Sequence, residues 1–260
     1  MTKLQIIVVS SMILLFAGMY FGLDTKPKEQ KSIEKSRELE AESTDINALL
    51  DDAKSKLTDE QSTLILSIET KLKETETDSS KIEVLKELSG SWYRLERVDL
   101  AGFYAEEIAN IQNNEEAWSI AGTTYAIGTQ RAAEEKVKQF CFGRAVKAFE
   151  NAISINPSNT VHKVNLAVCY AENPLPENPM KGILMLRDLI EKEPENVLVL
   201  STLGRFAIQT GQFEKAIERL EKAISIEPEN NKANCLLAQA YQGVGNTQKA
   251  TEYANICKNN

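Results

Sequence analysis

The run VLVLSTLGRFAIQTGQFEKAIERLEKAISIEPEN, Val197 to Asn230, decides the fold. Leu200, Leu203, Gly204 and Ala207 recur at helical spacing and mark the buried face of a first helix. Gly211 breaks that pattern. Ala216, Leu220 and Ala223 then mark a second buried face, and Pro228 closes it. The alanines and the glycine let two backbones approach closely while the leucines fill the space between, so the run predicts two helices joined by a tight turn.

Such a hairpin cannot bury its apolar faces alone, and neighbours at the same period are expected. Leu237, Ala238, Tyr241, Ala250, Ala254 and Cys257 fill the corresponding slots after Asn230. Going backward, Leu166, Ala167 and Tyr170 precede Leu186, Leu189 and Pro194. Before them, Trp118, Ala121, Gly122 and Tyr125 precede Ala145, Phe149, Ala152 and Pro157. The tails AISIN-Pro157 and AISIE-Pro228 are nearly identical. A weaker unit uses Leu85, Leu88, Ser89 and Trp92, then Ala101, Ala105 and Ile108, with Asn113 where proline is expected. These residues resemble the tetratricopeptide repeat (TPR) family, whose 34-residue pattern runs W-x2-L-G-x2-Y, A-x3-F, A, P. The resemblance implies an all-α, right-handed superhelix (α-solenoid) of stacked hairpins, with units at about 82–114, 115–159, 160–196, 197–230 and 231–260.

A net charge of −8 and no basic stripe argue against a nucleic-acid partner, because phosphate neutralisation needs clustered Lys and Arg. His162 is the single histidine, which removes Ser/His/Asp, Cys/His and multi-His metal sites, and it reads as a surface or packing residue. No GxxxxGK[ST] or GxGxxG follows a strand. Neither an enzyme, a cofactor nor a metal is expected. Cys141, Cys169, Cys235 and Cys257 lack CxxC spacing and read as unpaired, small apolar residues of packed helices; a chain with a core this large does not call for a disulfide framework.

Leu4 to Leu23 carries no charge and has about the twenty residues that cross a bilayer. It reads as an uncleaved single-pass anchor over residues 1–23, with a cleaved signal peptide as the alternative. The lysines after it, with the unpaired cysteines, favour repeats on the cytoplasmic side over the extracytoplasmic one. Residues 24–44 are a charged linker. Residues 45–80 hold a capping hairpin, built on Ile46, Leu49, Leu50, Ala53 and Leu57, then Leu64, Ile65, Ile68 and Leu72, with Thr75 to Ser80 as a polar break.

Two units depart from standard length. Between Tyr125 and Ala145 stand about eleven residues more than the pattern needs, close to three helical turns, so a helical addition keeps the buried face in phase. Phe140 and Phe142 lie there, either packed on the adjacent hairpin or as a protruding contact element. Three prolines between Asn173 and Pro179 forbid helix in an enlarged turn.

In the TPR family, first helices line a concave groove for peptides or partner helices. Carried over slot by slot, that groove includes Ser119, Thr123, Asn165, Val168, Ser201, Arg205, Gln209, Gln239 and Gln242, mostly polar and uncharged. A carboxylate clamp needs more basic residues than Asn165 and Arg205 supply, so a segment held by amide hydrogen bonds and apolar contact fits better. The reading is a membrane-tethered scaffold for a protein partner. Alternatives are an assembly chaperone similar to the membrane-anchored TPR factors of cytochrome c maturation, or self-association through the open edge of the last hairpin.

Overall fold

In the computed structural model, described over residues 45–259, an asparagine starts each of four first helices. The side chains of Asn114, Asn159, Asn196 and Asn230 accept from the N–H groups of Ala117, Val161, Val199 and Ala233, satisfying donors that a helix start leaves unpaired. Thr77 does the same ahead of Asp78, in a reciprocal pair with Ser80. The polar stretch 75–80 is therefore half helix: its hydroxyls cap a start rather than break the chain.

The chain divides into two compact units, residues 1–48 and 49–260. Of the first, Asp45 and the opening of a helix are described, where Asp45 Oδ1 accepts from Asn47 N at 3.2 Å. The expected anchor at Leu4–Leu23 and the expected charged linker, residues 24–44, lie outside the described residues. Among the described residues no helix is long and apolar enough to cross a membrane.

The described helices are α1 Ile46–Ser55, α2 Asp59–Lys73, α3 Asp78–Arg94, α4 Val98–Gln112, α5 Glu115–Arg131, α6 Glu135–Ile155, α7 Thr160–Glu172, α8 Lys181–Lys192, α9 Val197–Gln209, α10 Phe213–Ile226, α11 Asn231–Gly243 and α12 Thr247–Asn259. From α2 onward each packs on the next in sequence, and α5, α7, α9 and α11 also touch in succession. That is the contact pattern of stacked antiparallel hairpins, an all-helical, solenoid-like architecture.

The seams are those the periodicity marks. Leu200, Ala207, Ala216, Leu220 and Ala223 share a buried cluster with Ala233, Leu237, Ala240 and Tyr241 of the following hairpin. A Cβ on Gly204 would stand 2.7 Å from Leu220 Cγ, so glycine here sets how closely α9 meets α10. Gly211 takes φ +72° and its turn bonds Gln212 N to Ala207 O at 2.8 Å, the left-handed helix ending that glycine favours. In the equivalent turn after α3 the same conformation falls on Glu96, φ 61°, with Arg97 N to Trp92 O at 3.0 Å.

The enlarged unit lengthens its helices: α5 has 17 residues and α6 has 21, against 13 and 14 in α9 and α10. The addition is helical and continues the packing inward. Gly128 lies against Cys141 Sγ, and Phe140 and Phe142, both half-buried, pack on the cluster of Tyr125, Phe149 and Tyr170. Their rings meet Tyr125 and Tyr170 edge-on at 6.0 and 5.8 Å. The proline segment forms the α7–α8 loop, pinned by Asn178 N to Leu175 O at 3.0 Å.

The cysteines need a correction. Cys141 and Cys169 are free and buried, as small apolar core residues, but Cys235 and Cys257 form a disulfide between α11 and α12, Cα to Cα 5.0 Å. Sequence spacing hid the pair because the bond joins facing helices, 22 positions apart, rather than neighbours on one turn.

Candidate functional site

The successive contacts of α5, α7, α9 and α11 put the first helices on one face. Thr123 of α5 and Asn165 and Val168 of α7 come together there, lining a cleft of about 80 Å³ with Gln130, Glu172 and Asn173. Thr123 is exposed, and Asn165 and Val168 are half-buried. Gln130 Nε2 donates to Glu172 Oε2 at 2.7 Å, and Arg205 Nη1 donates to Glu172 Oε1 at 2.9 Å. One carboxylate thus bridges three successive first helices. The Arg205 guanidinium also lies 4.3 Å from the centre of the Phe206 ring. With Glu172 against it, Arg205 is a neutralised cation. What the face offers a ligand here is amide, hydroxyl and apolar surface.

Ser201 sits deeper than the slot pattern suggests. It is buried, and its Oγ has no hydrogen-bond partner. It lines a second, wider cleft of about 490 Å³ with Val161, Leu198, Ile226 and Lys232, where the starts of α7, α9 and α11 meet the end of α10. Ser119 is half-buried, and Gln209, Gln239 and Gln242 are exposed; these four line neither cleft. Phe140 and Phe142 face the core cluster described above.

Three polar sets lie beyond the nine residues named from the slot pattern. Glu172 occupies the thirteenth position of its unit, a groove slot in the TPR pattern, so the register itself could have named it. Buried Glu106 accepts from Tyr125 OH at 2.8 Å and from Arg144 Nη1 at 3.0 Å, tying the lengthened hairpin to α4. Burial and then the Glu106 charge push the Tyr125 phenol well above its ordinary range. Glu115 accepts from Asn156 Nδ2 at 2.9 Å and Asn159 Nδ2 at 3.0 Å, and stands 2.7 Å from Nε2 of buried His162. Those partners, Asn156 foremost, hold the Glu115 carboxyl down to about 2. His162 is therefore a packing residue that latches one hairpin to the next. Among the described residues no group of three His, Cys, Asp or Glu is arranged to hold a metal.

Comparison with known proteins bears on the repeat itself. Residues 204–245 match the family model described as TPR repeat. This stretch is similar to a TPR repeat. The chain is 34% identical over 107 residues to anaphase-promoting complex subunit 3 of Dictyostelium discoideum, covering 40% of this chain and 10% of that protein. It is 30% identical over 97 residues to anaphase-promoting complex subunit CDC16 of Saccharomyces cerevisiae, covering 37% and 11%. It thus spans about a tenth of the length of these relatives. Among solved structures it is similar to a crystal structure of MamA, at 20% identity over 68% of this chain and 89% of that one, TM-score 0.42. MamA from Desulfovibrio magneticus RS-1 aligns at 18% identity over 68% and 93%, TM-score 0.43.

Proposed function

We propose that this chain is a membrane-tethered TPR scaffold that holds a segment of a partner protein along its first-helix face, with Leu4 to Leu23 as the tether. Its work is binding rather than catalysis. The observation that carries the reading is the cleft at Thr123, Asn165 and Val168, where amide and hydroxyl groups stand beside apolar surface over the Gln130–Glu172–Arg205 bridge. Extended or helical segments are recognised by such mixtures, main-chain groups by the amides and side chains by the apolar floor. The curated relatives are named as subunits of a complex, which agrees with a role in holding other proteins. Affinity capture from detergent-solubilised membranes tests it, comparing the native chain with Arg205→Glu combined with Asn165→Ala. The double variant should lose partner recovery while keeping the native helical circular dichroism. Equal recovery refutes the groove.

The Cys235–Cys257 bond favours a second reading of location and role. Disulfides persist in oxidising compartments and are rare in the cytosol, so we place the repeats on the extracytoplasmic side, against the lysine pattern after Leu23. That side suits an assembly chaperone similar to the TPR factors of cytochrome c maturation, which hold an unfolded apoprotein. A topology reporter fused after Asn260 decides: activity confined to the cytoplasm removes both the placement and the analogy.

A further inference from the structure

α12 is the least embedded of the repeat helices. None of its described side chains is buried, and it meets the core through half-buried Ala250 and Tyr253. α10, at the same place in the preceding unit, sinks Ala216, Leu220 and Ala223 completely. Polar contacts and one ring stack add to that hold. Lys249 Nζ donates to Tyr241 OH at 2.8 Å and approaches Glu221 at 3.5 Å, while the Tyr241 and Tyr253 rings stack at 5.7 Å. Exposed ion pairs contribute little, and a helix of 13 residues is marginal without packing. Beside these contacts stands one covalent tie, Cys235–Cys257, with both cysteines half-buried and so within reach of solvent.

We infer that the last hairpin is a redox-closed clamp: the Cys235–Cys257 disulfide decides whether α12 stays docked over the Leu237–Tyr241 face of α11. Opening is a thiol–disulfide exchange with a dithiol reductant. One thiolate of the reductant attacks a sulfur of the bond and expels the other cysteine as thiolate. The second reductant thiol then displaces the first cysteine, leaving two protein thiols and a cyclic oxidised reductant, two electrons and two protons having passed to the protein. The other two cysteines do not intervene. Cys141 and Cys169 are buried, and desolvation withholds the thiolate that exchange requires.

Hydrogen exchange followed by mass spectrometry on the full chain in detergent micelles tests the clamp, with and without dithiothreitol. Releasing a cross-link of 22-residue separation should raise the opening of α12 on the order of 10²-fold. Peptides within 247–257 should therefore exchange that much faster after reduction, while those within 197–226 stay unchanged. Cys235→Ser with Cys257→Ser should show the fast α12 exchange in either buffer; reduced native chain gives the same readout if that variant does not accumulate. Unchanged α12 exchange on reduction overturns the inference. So does reduction that opens α9 and α10 equally, and so does alkylation of all four cysteines in unreduced, denatured protein.

Discussion

Gly182 is the position at which one added methyl group should do most harm. It opens the α8 side of the hairpin against α7, and a Cβ built there would stand 2.2 Å from Ala167 O, 2.4 Å from Ala171 N and 2.8 Å from Ala171 Cα. All three are main-chain atoms of α7, so no rotamer change makes room, and the helices must separate by about 1 Å. That separation also lifts Leu186 and Leu189 from the cluster they share with Val199 and Leu203. Overpacking of this kind costs ~1–3 kcal/mol. A backbone obstacle puts the cost at the upper end, and the better helix propensity of alanine returns ~1 kcal/mol. Gly182→Ala should thus lose about 2 kcal/mol net, lowering Tm by ~4–8 °C for a domain of this size. Gly143 in α6 is the control, because nothing lies within 4 Å of its Cβ position. Gly143→Ala should gain up to ~1 kcal/mol and raise Tm by ~2–4 °C. Differential scanning calorimetry and urea midpoints read both variants. A Gly182→Ala chain at or above the native Tm would refute the account of the α7–α8 contact.

Glu96 holds the left-handed turn that glycine holds at Gly211 and Gly245, so Glu96→Gly should stabilise by ~1 kcal/mol, read as a higher urea midpoint. Glu115, held down to about 2 from the usual 4.5, contributes stability present above the unfolded value and lost as pH falls through the folded one. Native stability should fall between pH 4.5 and 2, and Glu115→Gln should flatten that limb in acid titrations followed by circular dichroism. An unchanged slope counts against the latch to Asn156, Asn159 and His162. The Cys141 and Cys169 thiols, both pushed up to about 12 by burial, should resist Ellman's reagent at pH 8 until the chain unfolds, whereas reduced Cys235 and Cys257 should react at once.

The sequence by itself determined the helical period and the buried stripe of the central hairpin. Each is written in a short-range period: apolar residues three and four apart, glycine at the turn, proline or asparagine after it. Leu200, Ala216 and Leu220 are buried because any helix of that pattern must hide that stripe. The tertiary structure decided which polar groups meet. Glu172 joins Gln130 and Arg205, Glu106 joins Tyr125 and Arg144, and Cys235 joins Cys257, each across helices whose relative height and rotation no local pattern specifies. It also separated the nine groove slots into residues that share a cleft, such as Asn165 and Val168, and residues that stand apart, such as Gln242. Burial of an apolar stripe is non-directional and tolerates many partners, so periodicity encodes it. A hydrogen bond, an ion pair or a disulfide needs two atoms within a few ångströms, and stacking alone brings them there.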